Sequence, residues 1–169
     1  MKRTAAAILI LALSSSGASA QGTPDQANCR ADPLPFPASD ANRLSDEQLR
    51  QLLNGKTFFL VRAHTRTPGA FVRLSRELRG DGSMRLTCEF SKSRDGGWQL
   101  CKRYGTQKTN IAGAHDVGVW RVENRTLCLV HAAFNTTGCF AIHRQGGALA
   151  AKYVSGPRSY CAEGPVEVR

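Results

Sequence analysis

The stretch Met84-Arg85-Leu86-Thr87-Cys88-Glu89-Phe90-Ser91 decides the fold. Met84, Leu86, Cys88 and Phe90 alternate with Arg85, Thr87, Glu89 and Ser91, which gives one apolar and one polar face. A period of two is that of an extended strand buried on one side and wet on the other, as in an antiparallel sheet. Upstream, Gly80-Asp81-Gly82 marks a turn, and the Thr67-Pro68-Gly69 turn separates two further strands over 57–63 and 71–79. Downstream, Asp95-Gly96-Gly97 turns into a strand over 98–104, and a Gly- and Thr-containing loop over 105–115 follows. Turns at Glu123-Asn124-Arg125, Asn135-Thr136-Thr137-Gly138 and Gln145-Gly146-Gly147 then divide strands over 117–122, 127–132, 139–143 and 148–154.

Short strands at this spacing, joined by Gly, Asn and Asp, predict an antiparallel meander. The expected fold is mainly β, a small lipocalin-like barrel, with a two-sheet sandwich as the alternative. One helix precedes the strands. Ser45 and Gln48 form a capping box, Leu44 and Leu49 occupy the staple positions, and Asp46 and Glu47 suit the positive end of the helix dipole. Leu49, Leu52 and Leu53 make a narrow apolar stripe and Gly55 stops the helix. So narrow a stripe is expected to cover a sheet edge or barrel mouth.

Residues 1–20 read as a secretory signal: Met1-Lys2-Arg3, an apolar run from Ala5 to Leu13, and the small-residue cleavage site Ala18-Ser19-Ala20. The run is too short to span a bilayer, which takes about 20 residues. A Pro-rich extended lead-in over 21–43 and one β-rich domain over 44–169 follow. An exported, periplasmic or extracellular product is expected. Its six cysteines, Cys29, Cys88, Cys101, Cys128, Cys139 and Cys161, are then expected in disulfides. No Cys-x-x-Cys is present, so a zinc or redox site is not expected. Cys128 and Cys139 flank one turn and Cys88 and Cys101 another, which leaves Cys29 for Cys161 among the 15 connectivities that six cysteines allow. The second pair carries a difficulty. Cys88 lies in phase with Leu86 and Phe90, whereas Cys101 is out of phase with Trp98 and Leu100. A bulge at Gly96-Gly97 is the expected remedy.

Nothing in the sequence calls for a cofactor or a metal. His64, His115, His131 and His143 are scattered, and a Cys128–Cys139 pairing puts His131 and His143 on opposite faces of their hairpin. No Gly-x-Ser-x-Gly elbow appears, and most carboxylates fall in turns, so catalysis ranks last. Charge is the feature most suggestive of function. With Lys2 and Arg3 removed, 21 of the 23 cationic residues remain against 13 acidic ones, a charge of +8. Arg62, Arg66, Arg73, Arg76, Arg79 and Arg85 fall within 24 residues. Arginine binds phosphate and carboxylate in bidentate fashion, so these strands are expected to present a cationic surface to an anionic envelope polymer or an acidic protein. Export makes nucleic acid an unsuitable partner. A carrier of a small apolar ligand and an inhibitor of a secreted hydrolase, presenting the 105–115 loop, are the alternatives.

Gly118-Val119-Trp120-Arg121-Val122, followed by Leu127-Cys128 and Cys139-Phe140, resembles a pattern in small exported bacterial proteins without assigned activity. The resemblance covers roughly residues 44 to 154, with Cys29, Cys88, Cys101 and Cys161 outside the pattern. It implies a periplasmic β-barrel-like domain. Trp120 is expected to fill the core or plug the barrel, with ligand stacking as its lesser role.

Overall fold

In the computed structural model, residues 30–64, 67–104, 111–112, 114–133, 136–156 and 162–169 are described. Eight of their strands close into a barrel: β1 Lys56–Ala63, β2 Phe71–Leu78, β3 Ser83–Ser91, β4 His115–Glu123, β5 Thr126–His131, β6 Thr136–Gln145, β7 Ala148–Ser155 and β8 Ala162–Val168. Each is antiparallel to the next, and β8 returns to β1 through Val166↔Leu60, Glu167↔Phe59 and Val168↔Phe58. Closure selects the barrel over the sandwich. It also leaves no exposed edge along the closing seam.

Period-two alternation explains the walls. Phe58, Leu60, Leu74, Leu78, Met84, Leu86, Val122, Leu127, Leu129, Phe140, Ile142 and Ala151 turn inward and are buried. An eight-stranded barrel is just wide enough for such side chains to fill it. One end is closed by α1, Asp46–Leu53, whose Leu49 and Leu53 are buried together with Leu44 in the same core. The capping box forms as the sequence predicts. Gln48 N–H donates to Ser45 Oγ at 3.2 Å, and Ser45 N–H donates to Gln48 Oε1 at 2.8 Å. Gly55, at φ +70°, supplies the left-handed exit from the helix.

The eighth strand differs from the expectation. The stretch over 98–104 does not join the wall as a full strand: only Gln99–Leu100 pairs with β3, and Arg103–Tyr104 pairs with Ile111–Ala112 in a separate ribbon. Closure comes instead from Ala162–Val168, whose Gly164-Pro165 disguises a strand. The flank of β8 explains how the proline fits. Arg30–Ala31 pairs in parallel with Ala162 and Glu163, whereas β1 takes over only from Val166, so Gly164 and Pro165 lie in the gap between two partners. A proline there forfeits little pairing on that side. Gly164 is also crowded, since a Cβ on it would lie 3.0 Å from Asp32 Cβ.

The lead-in is strapped along the barrel. Asp32 N–H donates to Glu163 O at 3.0 Å, Asp32 pairs with Arg94 at 3.0 Å, Phe36 is buried, and Leu44 N–H donates to Ile142 O at 2.9 Å. His143, outward on β6, lies under this strap, with Nδ1 at 3.2 Å from Ser39 O and 3.0 Å from Asn42 Oδ1.

Two disulfides form as predicted. Cys128 and Cys139 are direct partners across β5 and β6, with Cα atoms 4.1 Å apart, and Cys88 bonds to Cys101 at 5.4 Å. The phase difficulty resolves without a bulge at Gly96-Gly97. Cys101 N–H donates to Cys88 O at 3.0 Å, Leu100 pairs with the outward Glu89, and Leu100 is 59% exposed. Trp98 and Leu100 belong to the outer face, and Cys101 is in phase with Cys88. Cys29 and Cys161 lie outside the described residues, as do residues 1–20. No helix among the described residues is long and apolar enough to cross a membrane.

Candidate binding surface

The six arginines expected to share one cationic surface separate into different environments. Arg76 is a correction. It alternates with Val72, Leu74 and Leu78 on the inward face of β2 and is 1% exposed, so it offers no contact surface. Its Nη1 donates to Leu74 O at 3.4 Å, and its guanidinium lies 5.9 Å from the Phe58 ring centroid. Asp116 and His131 share this interior, with Asp116 Oδ2 3.7 Å from His131 Nδ1. Burial pushes the His131 imidazole down to about 3, and the Arg76 charge adds to the shift. At neutral pH His131 is therefore uncharged, and its contact with Asp116 is not an ion pair. Arg62 falls in the inward phase of β1 with Phe58 and Leu60 and is half-buried. Arg66 lies outside the described residues.

Three arginines do face outward. Arg73 is held by Glu89 through two bonds, Nε to Oε2 and Nη2 to Oε1, both 2.8 Å. The Arg73 hydrogen bond, reinforced by its charge, holds the Glu89 carboxyl below the usual range. The same guanidinium lies 4.7 Å from the Trp98 ring centroid and 6.0 Å from that of Phe59, and Arg169 stacks on Phe59 at 5.3 Å. Arg73 is thus committed on both its edge and its faces. Arg79 is exposed and pairs with Glu77 at 3.0 Å. Arg85 is exposed near the start of β3 and makes no ion pair with another described residue.

Beside Arg85 lies a surface that a count of charges does not reveal. Arg85 is the direct neighbour of Val117 across β3 and β4, and Val119 pairs with Ser83 on one side and Val130 on the other. Val117 is 61% exposed and Val119 is 50% exposed. Their outward phase follows from the opposite phase of Trp120 and Val122, which face the core. Trp120 packs against that core, and its Nε1 donates to Arg79 O at 2.8 Å, which makes it a wall residue near the Gly80-Asp81-Gly82 turn. Between the valines, Gly118 meets the neighbouring strand so closely that a Cβ would lie 2.0 Å from Val130 O. Arg121 rims the patch and pairs with Glu123 at 3.0 Å.

The histidines do not converge. His64 packs edge-on against Phe90 at 5.4 Å, His115 faces solvent beside Thr87, His131 is interior and His143 lies beneath the strap. Among the described residues no group of three or more His, Cys, Asp or Glu is placed to hold a metal ion. Compared with known protein families, curated proteins and solved structures, the chain matches none of them.

Proposed function

We propose that the protein is an exported binding module that meets an anionic partner, an envelope polymer or an acidic protein, on the outside of its barrel. The packing of the interior carries this reading. Phe58, Leu78, Leu86, Leu127, Leu129 and Ile142 are all 0% exposed, so no space wide enough even for water adjoins them. Tight packing around these six side chains disfavours an apolar ligand held among them and favours recognition on the outer face. There Arg79 and Arg85 are the exposed members of the arginine series, backed by a mature charge of +8 that draws anions from a distance. The signal-like residues 1–20 and the two disulfides support export.

The test is sedimentation of the mature chain with purified envelope membranes and with lipopolysaccharide. Raising salt from about 0.1 M to about 1 M shortens the screening length from about 10 Å to about 3 Å. Binding should fall steeply over that range, and Arg85→Glu should weaken it at low salt. Binding indifferent to both changes would overturn the reading. Arg73 and Arg79 are the wrong residues to reverse, because Glu89 and Glu77 already pair with them.

A further inference from the structure

We infer that the partner is a protein segment with acidic side chains around an apolar stripe, docked on the outer face of β3, β4 and β5. This rests on the reading just given and narrows it to one class of partner. Val117, Val119 and Val130 form a short apolar row along the sheet, and two of them leave at least half their surface in water. A buried strand face would be covered, and a solvated one ordinarily carries polar side chains. The rim supplies the second half of the argument. Arg85, which makes no ion pair with another described residue, stands directly beside Val117. Arg121, two residues along from Val119 on the same face, is already paired with Glu123.

This combination separates the classes of occupant. An acidic polysaccharide satisfies Arg85 and leaves the valines wet. A second copy covers the valines but brings together two chains that each carry a mature charge of +8, which opposes their association. An extended protein segment alternating acidic and apolar side chains satisfies both, because its period of two places all its apolar groups on one face. The sheet beneath is rigid: β4 is hydrogen-bonded on both sides, Gly118 holds it tight against β5, and the Cys128–Cys139 bridge ties β5 to β6.

The experiment measures binding of the mature chain to two synthetic probes of equal charge, poly-L-glutamate and an alternating Glu–Val peptide. The combined exposure of Val117 and Val119 amounts to about one whole valine side chain, whose burial is worth about tenfold in affinity. The alternating peptide should therefore bind about tenfold more tightly. Val117→Ser with Val119→Ser should erase that advantage while leaving poly-L-glutamate binding unchanged. These sites are exposed, and circular dichroism of the variant checks that its fold is intact. Arg85→Glu should weaken both probes, which reports on the anionic reading separately. Equal affinity for the two peptides, or an advantage that survives the serine pair, overturns the inference and leaves the anionic reading standing. Binding of neither peptide overturns the inference, and the sedimentation with lipopolysaccharide decides the anionic reading separately. Sedimentation of the protein alone adds one more check, since a dimer dispersed by the serine pair would assign the patch to a second copy instead.

Discussion

Gly118→Ala is the smallest change that tests the register of the barrel wall. A methyl group at this position would lie 2.0 Å from Val130 O and 3.0 Å from Met84 Cε. The methionine can swing away, but the carbonyl belongs to β5, and it would have to retreat from 2.0 Å to at least the 3.4 Å of ordinary contact. That movement strains the pairs Gly118↔His131 and Val119↔Val130. Overpacking alone costs about 1–3 kcal/mol, and each buried backbone group left without its partner adds about 1–3 kcal/mol. A loss of about 4 kcal/mol is the expected total, which lowers Tm by roughly 8–16 °C for a chain of this size. Urea and thermal denaturation measure it, with Gly147→Ala as the control. That glycine has open space around it and no left-handed backbone, so its substitution should stay within about 0.5 kcal/mol of wild type. Adding Met84→Ala to Gly118→Ala should give no rescue, because the obstacle is backbone. A Gly118→Ala protein as stable as wild type, or one restored by Met84→Ala, would refute the register of β4 against β5.

Two further predictions concern the interior and the outer arm. His131 is buried neutral with its folded value near 3 against an unfolded 6.5, so its contribution is complete above pH 6.5 and is lost as pH falls toward 3. Each such histidine gives a slope of at most about 1.4 kcal/mol per pH unit. His143, also depressed by burial, acts in the same direction. Urea midpoints between pH 6.5 and 5, above the range where Glu89 titrates, should therefore fall, and His131→Gln should flatten the decline without abolishing it; an unchanged slope would show that His131 is not buried neutral. Separately, Cys88→Ala with Cys101→Ala opens a loop of 13 residues, at a cost of about 3 kcal/mol in the chain-entropy account. It should also free Trp98 from Arg73 and raise its acrylamide quenching, while the contribution of Trp120 stays unchanged; quenching equal to wild type would mean that the arm does not depend on the bridge.

Much of the wall was legible from periodicity, because sheet burial is a matter of phase. Met84 to Ser91 alternates cleanly, and the Cys128–Cys139 pair follows from symmetry about one turn. The helix was equally legible, since Ser45, Gln48, Leu44 and Leu49 state its start in local terms. What escaped depends on neighbours distant in sequence. Gly164-Pro165 reads as a break, and only the arrival of Arg30–Ala31 on one part of β8 and of β1 on the next makes it tolerable. Trp98 and Leu100 read as interior because they are apolar, but the strand they join is a two-residue arm packed on Arg73 outside the barrel.

The candidate site shows the same rule from the other side. Clustering of arginines along the chain carries no information about which of them reach solvent unpaired. Arg76 shares the phase of Val72, Leu74 and Leu78, and that alone sends it into the core, while Arg73 keeps the phase of Ser75 and Glu77 and comes out. What phase could not supply was Glu89, which lies 16 residues away and neutralises Arg73 only once β2 and β3 pair. Val117 and Val119 are the converse case. Both are apolar, yet Trp120 and Val122 claim the inner face of β4, and a strand cannot turn both sets inward. The apolar residues left outside are therefore a consequence of the register that turns Trp120 and Val122 inward, and the arginine beside them is a consequence of the register that buries Met84 and Leu86. A binding surface assembled in this way is readable only after the pairing of β3 with β4 is known, because that pairing sets Arg85 next to Val117.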